Sequence, residues 1–137
     1  MGRKQAREGA MKLLFQMEST NDYTDEALEI FLNNFEYDEA ETDYIKDAIH
    51  TIINNLEDID KSIKTHLEGW SISRLAKVDL SALRIAVYEI LYRKDIPLEV
   101  SINEAIEIVK RFSTEDSFKF INGVLGGFAR ALDKKNE

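Results

Sequence analysis

Cysteine is absent from the chain, which excludes a disulfide framework, a thiolate nucleophile and any zinc site built on sulfur. Histidine is scarce: His50 and His66 have no ligand-type partner four residues away, so a metal site would have to gather carboxylates from separate helices. No segment approaches the roughly 20 apolar residues of a membrane span, and the N-terminal MGRKQAREGA lacks the apolar stretch of a secretory signal. A cytoplasmic protein is expected. Neither a phosphate-binding loop nor a dinucleotide fingerprint is present. The nearest approach, Gly123-Val124-Leu125-Gly126-Gly127, falls inside a predicted helix and lacks the Lys-Ser/Thr pair of a phosphate loop. The acidic group Glu36, Asp38 and Glu39 reads as solvated surface on a polar connection. These absences leave no basis for a catalytic, metal or cofactor assignment, and an enzyme is not expected.

What is present fits one globular domain spanning residues 1–137: 44% of residues are hydrophobic and 32% charged. Only one proline and six glycines interrupt the chain, and apolar residues recur at spacings of three and four. The pattern predicts an all-α fold of about seven helices, over residues 3–18, 25–34, 39–54, 56–67, 79–93, 101–112 and 115–133. Thr24 or Asp25 is the expected cap of the second helix and Asp79 that of the fifth. Ser101-Ile102-Asn103-Glu104 has the form of a capping box opening the sixth, and Ser113 or Thr114 is placed to open the seventh. The fifth segment is apolar on two faces, through Leu80, Leu83, Val87 and Ile90 on one and Ile85, Tyr88 and Tyr92 on the other, which marks the central helix. Arg84 lies beside its stripe and is expected to pair with a carboxylate, because an unpaired buried charge is costly.

The net charge of −8 is unevenly spread: residues 1–16 carry +3, residues 17–68 carry −12 and residues 69–137 carry +1. An acidic middle repels phosphate, so any nucleic-acid site is expected outside residues 17–68. On a helical wheel, Lys4, Arg7, Met11 and Phe15 share a flank beside the first helix's core stripe. Phe120 points away from the Ile121, Leu125 and Phe128 stripe, on the side of Asp116, Gly123 and Gly127. Glycine at two successive turns costs about 1 kcal/mol each against alanine, which suggests a face kept bare for close approach, either of another helix or of a ligand. Cations that neutralise phosphate, together with exposed aromatic rings that stack on unpaired bases, form a platform for single-stranded RNA.

Three stretches carry a resemblance to a known family. They are Arg3-Lys4-Gln5-Ala6-Arg7-Glu8 followed by Phe15; Arg74-Leu75-Ala76-Lys77-Val78-Asp79 running on through Leu83-Arg84-Ile85 to Tyr88-Glu89-Ile90; and Ile96-Pro97 through Ser101-Ile102-Asn103-Glu104-Ala105 to Asp116-Ser117-Phe118-Lys119-Phe120-Ile121-Asn122-Gly123. In this order they resemble the NusB family of bacterial transcription antitermination factors. The resemblance implies two packed helical sub-bundles and a non-enzymatic protein that pairs with NusE, a ribosomal small-subunit protein. It further implies binding of boxA-type RNA within the RNA polymerase antitermination complex, promoting processive transcription of ribosomal RNA operons. Carried over by position, the RNA-facing residues are Arg3, Lys4, Arg7, Phe15, Asp116, Lys119, Phe120 and Asn122. The partner-facing residues are Ser73, Arg74, Val78 and Asp79. The alternative is an adaptor or homodimer that covers the same face without touching RNA. A related helical domain accompanies RNA cytosine methyltransferases, but that role needs a Rossmann-like segment and a cysteine, and the chain has neither.

Overall fold

The computed structural model describes residues 2–136, with side chains placed through Leu132. Every long element among these residues is an α-helix: α1 (Arg3–Thr20), α2 (Asp25–Asn34), α3 (Glu39–Asn54), α4 (Leu56–Thr65), α5 (Lys77–Tyr92), α6 (Leu98–Phe112) and α7 (Glu115–Asn136). A short 3₁₀ turn over Ile72–Arg74 leads into α5. No described helix is long and apolar enough to cross a membrane.

Helix α5 is the axis of the molecule. Its residues from Asp79 to Glu89 are buried without interruption, as expected of a helix apolar on two faces. It packs against α1, α3, α4, α6 and α7. Helices α1, α2 and α3 also pack on one another, while α6 packs on α7, so two groups of helices share α5. One core results, built from Leu13, Leu14 and Met17 of α1, Ile45, Ile49 and Ile52 of α3, Ile59 and Ile63 of α4, Leu83 and Val87 of α5, and Ile121 and Leu125 of α7.

The helix starts follow local chemistry. Thr24 caps α2 by accepting from the Ala27 N–H at 3.2 Å, and Thr114 accepts from the Ser117 N–H at 3.1 Å at the head of α7. Asp38 and Glu41 form a reciprocal capping box at α3, and Glu41 also accepts from the Gly2 N–H at 3.0 Å, tying the start of α1 to α3.

Two expected starts are corrected. Helix α6 begins at Leu98, because Pro97 supplies the fixed φ and stops nothing downstream of itself. Ser101 is thereby inside the helix and buried, where its hydroxyl donates to Glu89 at 2.8 Å instead of capping. Asp79 is likewise not the cap of α5. The helix starts at Lys77 behind Ala76, and Asp79 sits in the first turn with its carboxylate accepting from the Ser117 hydroxyl at 2.7 Å.

Arg84 is paired as expected: its guanidinium donates to both oxygens of Asp60, at 2.9 and 2.8 Å, and to the Tyr23 hydroxyl at 3.1 Å. Glu18 lies 3.2 Å away. Burial works against the Arg84 charge, but the Asp60 hydrogen bonds outweigh it and hold its pKa above the ordinary arginine value.

Candidate nucleic-acid and partner interface

The flank of α1 divides between core and surface. Arg7 and Met11 are buried, so the expectation that Arg7 stands exposed beside Lys4 and Phe15 is corrected. The Arg7 guanidinium donates to Glu89 through Nε at 2.7 Å and Nη2 at 3.1 Å, and Glu104 lies 3.8 Å from it. Glu89 also accepts from the hydroxyls of Tyr44 and Ser101. Burial and the Glu89 charge push the Tyr44 hydroxyl well above its usual pKa, so it remains a donor. With its donors committed inward, Arg7 supports α1 rather than offering a surface cation.

Lys4, Lys12 and Phe15 are the exposed members of this flank, and the ring of Phe15 is 39% accessible. Their face abuts the end of α6. Glu8 accepts from Arg111 at 2.6 Å, and the Phe112 ring lies 5.5 Å from the Lys12 ammonium and 5.2 Å from the Arg111 guanidinium. Lys110 sits 4.6 Å from the ring of Phe118 on α7. The outcome is a strip of cations interleaved with aromatic rings that crosses α1, α6 and α7. Arg3 stands apart from it, over the Tyr44 ring at 4.9 Å.

On α7, Asp116, Lys119 and Asn122 are exposed and Phe120 is half-buried. Phe120 is not stranded alone, since its ring pairs with Trp70 at 5.6 Å between centroids. The bare glycine face is partly used for packing: at Gly127 a Cβ would lie 3.1 Å from Nδ1 of His66, whose ring rests on Phe128, whereas Gly123 faces open space.

The expected partner residues meet this surface. Ser73 and Arg74 are exposed, Val78 is half-buried and Asp79 is buried. Arg74 and Asp79 line a cavity of about 300 Å³ together with Trp70, Asp116, Ser117 and Phe120. Residues assigned separately to RNA and to a partner thus border one cavity. Asp79 Oδ1 is buried there with no hydrogen-bond partner among the described residues, a state that costs about 1–3 kcal/mol until a donor arrives.

Sequence reasoning missed Trp70, Lys110, Arg111 and Phe112 as parts of this surface. An exposed lone tryptophan after Gly69 was the available signal for the first. The others became relevant only when α6 was seen to bridge α1 and α7.

Comparison with known proteins assigns the family. A family model described as the NusB family matches residues 4–130. The transcription antitermination protein NusB of Acetivibrio thermocellus is 44% identical over 126 residues, covering 92% of this chain and 87% of that protein. That of Clostridium novyi is 44% identical over 133 residues, covering 96% of this chain and all of its own length (100%). Among solved structures, T. maritima NusB superposes with a TM-score of 0.87 at 44% identity, over 95% of this chain and 92% of that one. A chain from a crystal structure of the antitermination factors NusB and NusE in complex with dsRNA gives 0.82 at 29% identity, over 94% and 96%. Motifs, helix order, core and relatives agree, and the chain belongs to the NusB family.

Proposed function

We propose that this chain is an RNA-binding transcription antitermination factor. In this reading it pairs with a NusE-type protein and holds boxA-type single-stranded RNA, within an RNA polymerase antitermination complex acting on ribosomal RNA operons. The observation that carries the reading is the strip of cations and aromatic rings over α1, α6 and α7, which ends beside the cavity holding the unpartnered Asp79 oxygen. Lys4, Lys119 and Arg3 supply charge to phosphates, while Phe15 and Phe120 offer ring faces to bases. Asp116 and Asn122 add acceptors and a donor for base edges. Arg7 acts from beneath, by fixing α1 on Glu89. Ser73, Arg74, Val78 and Asp79 form the partner side, where a donor from NusE satisfies Asp79 Oδ1.

Titration of labelled boxA RNA with and without NusE tests this. Three cations on phosphates predict a slope of log K against log salt near −2, from about −0.7 per contact on single strands. Phe120→Ala is expected to weaken RNA binding by the equivalent of about 1–3 kcal/mol, and Asp79→Ala to weaken the partner-enhanced binding more than RNA binding alone. Partner binding with no RNA binding at all would favour the adaptor or homodimer reading instead.

A further inference from the structure

A second, polar cleft lies on the far side of the Trp70 and Phe120 pair. It has a volume of about 430 Å³ and runs between the end of α4 and α7, bordered by His66, Trp70, Lys119, Phe120, Gly123 and Arg130. We propose that this cleft takes a short unpaired stretch of RNA lying along α7, with a base against Trp70 and Phe120 and backbone phosphates at Lys119 and Arg130. The inference rests on the RNA-binding reading above and extends it from Lys119 and Phe120 to His66, Trp70 and Arg130, which lie outside the family motifs quoted earlier.

Four observations support it. First, Trp70 is 51% exposed and its ring meets that of Phe120 at a tilt of 56°, so a large share of an aromatic surface is accessible to a planar group. Second, Lys119, Gly123, Gly127 and Arg130 recur along one face of α7, so two cations flank a stretch that is bare at Gly123 and covered by His66 at Gly127. They are about 16 Å apart along the axis at 1.5 Å per residue, a separation that suits successive points on an extended strand better than one compact anion. Third, nothing lies within 4 Å of where a Cβ would stand at Gly123, so a ribose or base can approach the helix backbone.

Fourth, among the described residues neither Lys119 nor Arg130 has a carboxylate within ion-pair distance. Glu68 at the cleft edge leaves the lining with a net positive balance and works against a dense polyanion with no base to stack. His66 adds a neutral imidazole, one donor and one acceptor, because burial and then the Arg130 charge lower its pKa from the ordinary 6.5.

Trp70 is the only tryptophan in the chain; it borders both this cleft and the cavity at Asp79, so its emission reports on the two together and Arg130, which lines only the cleft, tells them apart. A short unstructured oligoribonucleotide titrated into the full chain is expected to quench that emission in step with the anisotropy of the same RNA carrying a label. Trp70→Leu, at a half-exposed position that does not hold the core, is expected to weaken binding about 5- to 150-fold, the range for loss of one stacked base. Arg130→Gln is expected to reduce the salt slope by about 0.7 and to diminish the quench. If anisotropy saturates while emission, Trp70→Leu and Arg130→Gln show no change, RNA is held elsewhere and the cleft proposal is overturned while the RNA-binding reading stands. Equal quenching by inorganic polyphosphate overturns it as well, in favour of a simple anion site. No response in either signal removes both.

Discussion

Glu89 gathers donors from three helices onto one buried carboxylate: Arg7 from α1, Tyr44 from α3 and Ser101 from α6. Removing it strands a guanidinium in the core, so Glu89→Ala is expected to cost about 3–5 kcal/mol in chemical denaturation. A loss below about 1 kcal/mol would mean that Arg7 swings out to Glu104 at little expense. His66 provides a pH handle of known sign. Its folded-state pKa lies below the ordinary 6.5, so the unfolded chain binds the proton more readily. The folded state keeps its full stability above pH 6.5 and loses some as pH falls through the folded-state value. The charged groups lining its cleft are Glu68, Lys119 and Arg130, and His66→Gln is expected to flatten that part of the stability profile while lowering the plateau at higher pH through loss of the ring packed on Phe128. Arg84 shows how far a single residue could be read. A charge beside an apolar stripe demanded a carboxylate, but the stripe could not name Asp60, which lies 24 positions away.

Among the elements, α7 is where composition and function pull against each other. Gly123→Ala adds a methyl group in open space and is expected to raise stability by about 1 kcal/mol through helix propensity, measured as a shift in thermal midpoint. Gly9→Ala in α1 should do the opposite. Its Cβ would stand 2.5 Å from the Tyr37 hydroxyl and 3.1 Å from Cδ1 of Ile45, so the Tyr37 ring must be displaced and the Ile45 side chain must give to admit it. Helix existence was legible throughout from periodicity, and the caps at Thr24 and Thr114 were readable from local sequence because they act within three residues. The start of α6 was not. Ser101 and Glu104 match a capping box in spacing, yet their side chains are occupied by Glu89 and by the neighbourhood of Arg7, contacts that no local pattern contains. Arg7 failed for the same reason: the wheel places it at the edge of the stripe, and only Glu89, 82 residues on, decides which way it turns.

The whole molecule is polarised. Helices α2 to α4 carry most of the −12 of residues 17–68, while the cation and ring strip follows α1, α6 and α7. At physiological salt, charges beyond about 8 Å are largely screened. The double change Glu57→Lys with Asp58→Lys on α4 is therefore expected to leave RNA affinity nearly unchanged, whereas Lys12→Glu on the strip weakens it, both followed by titration at two salt concentrations. That RNA should avoid the acidic middle was legible from charge alone. That Arg74 and Asp79 would border the same cavity as Phe120 was not, because it depends on how the turn before α5 meets the head of α7. The Arg84 node has one more consequence. It joins Glu18 of α1, Tyr23 of the following turn and Asp60 of α4 to the central helix, and so serves as a cross-link in a chain that has no cysteine to make one. Such a staple is indifferent to reductant. It forms only after the four segments have met, which ties α1, the turn after it, α4 and α5 into a single cooperative unfolding unit.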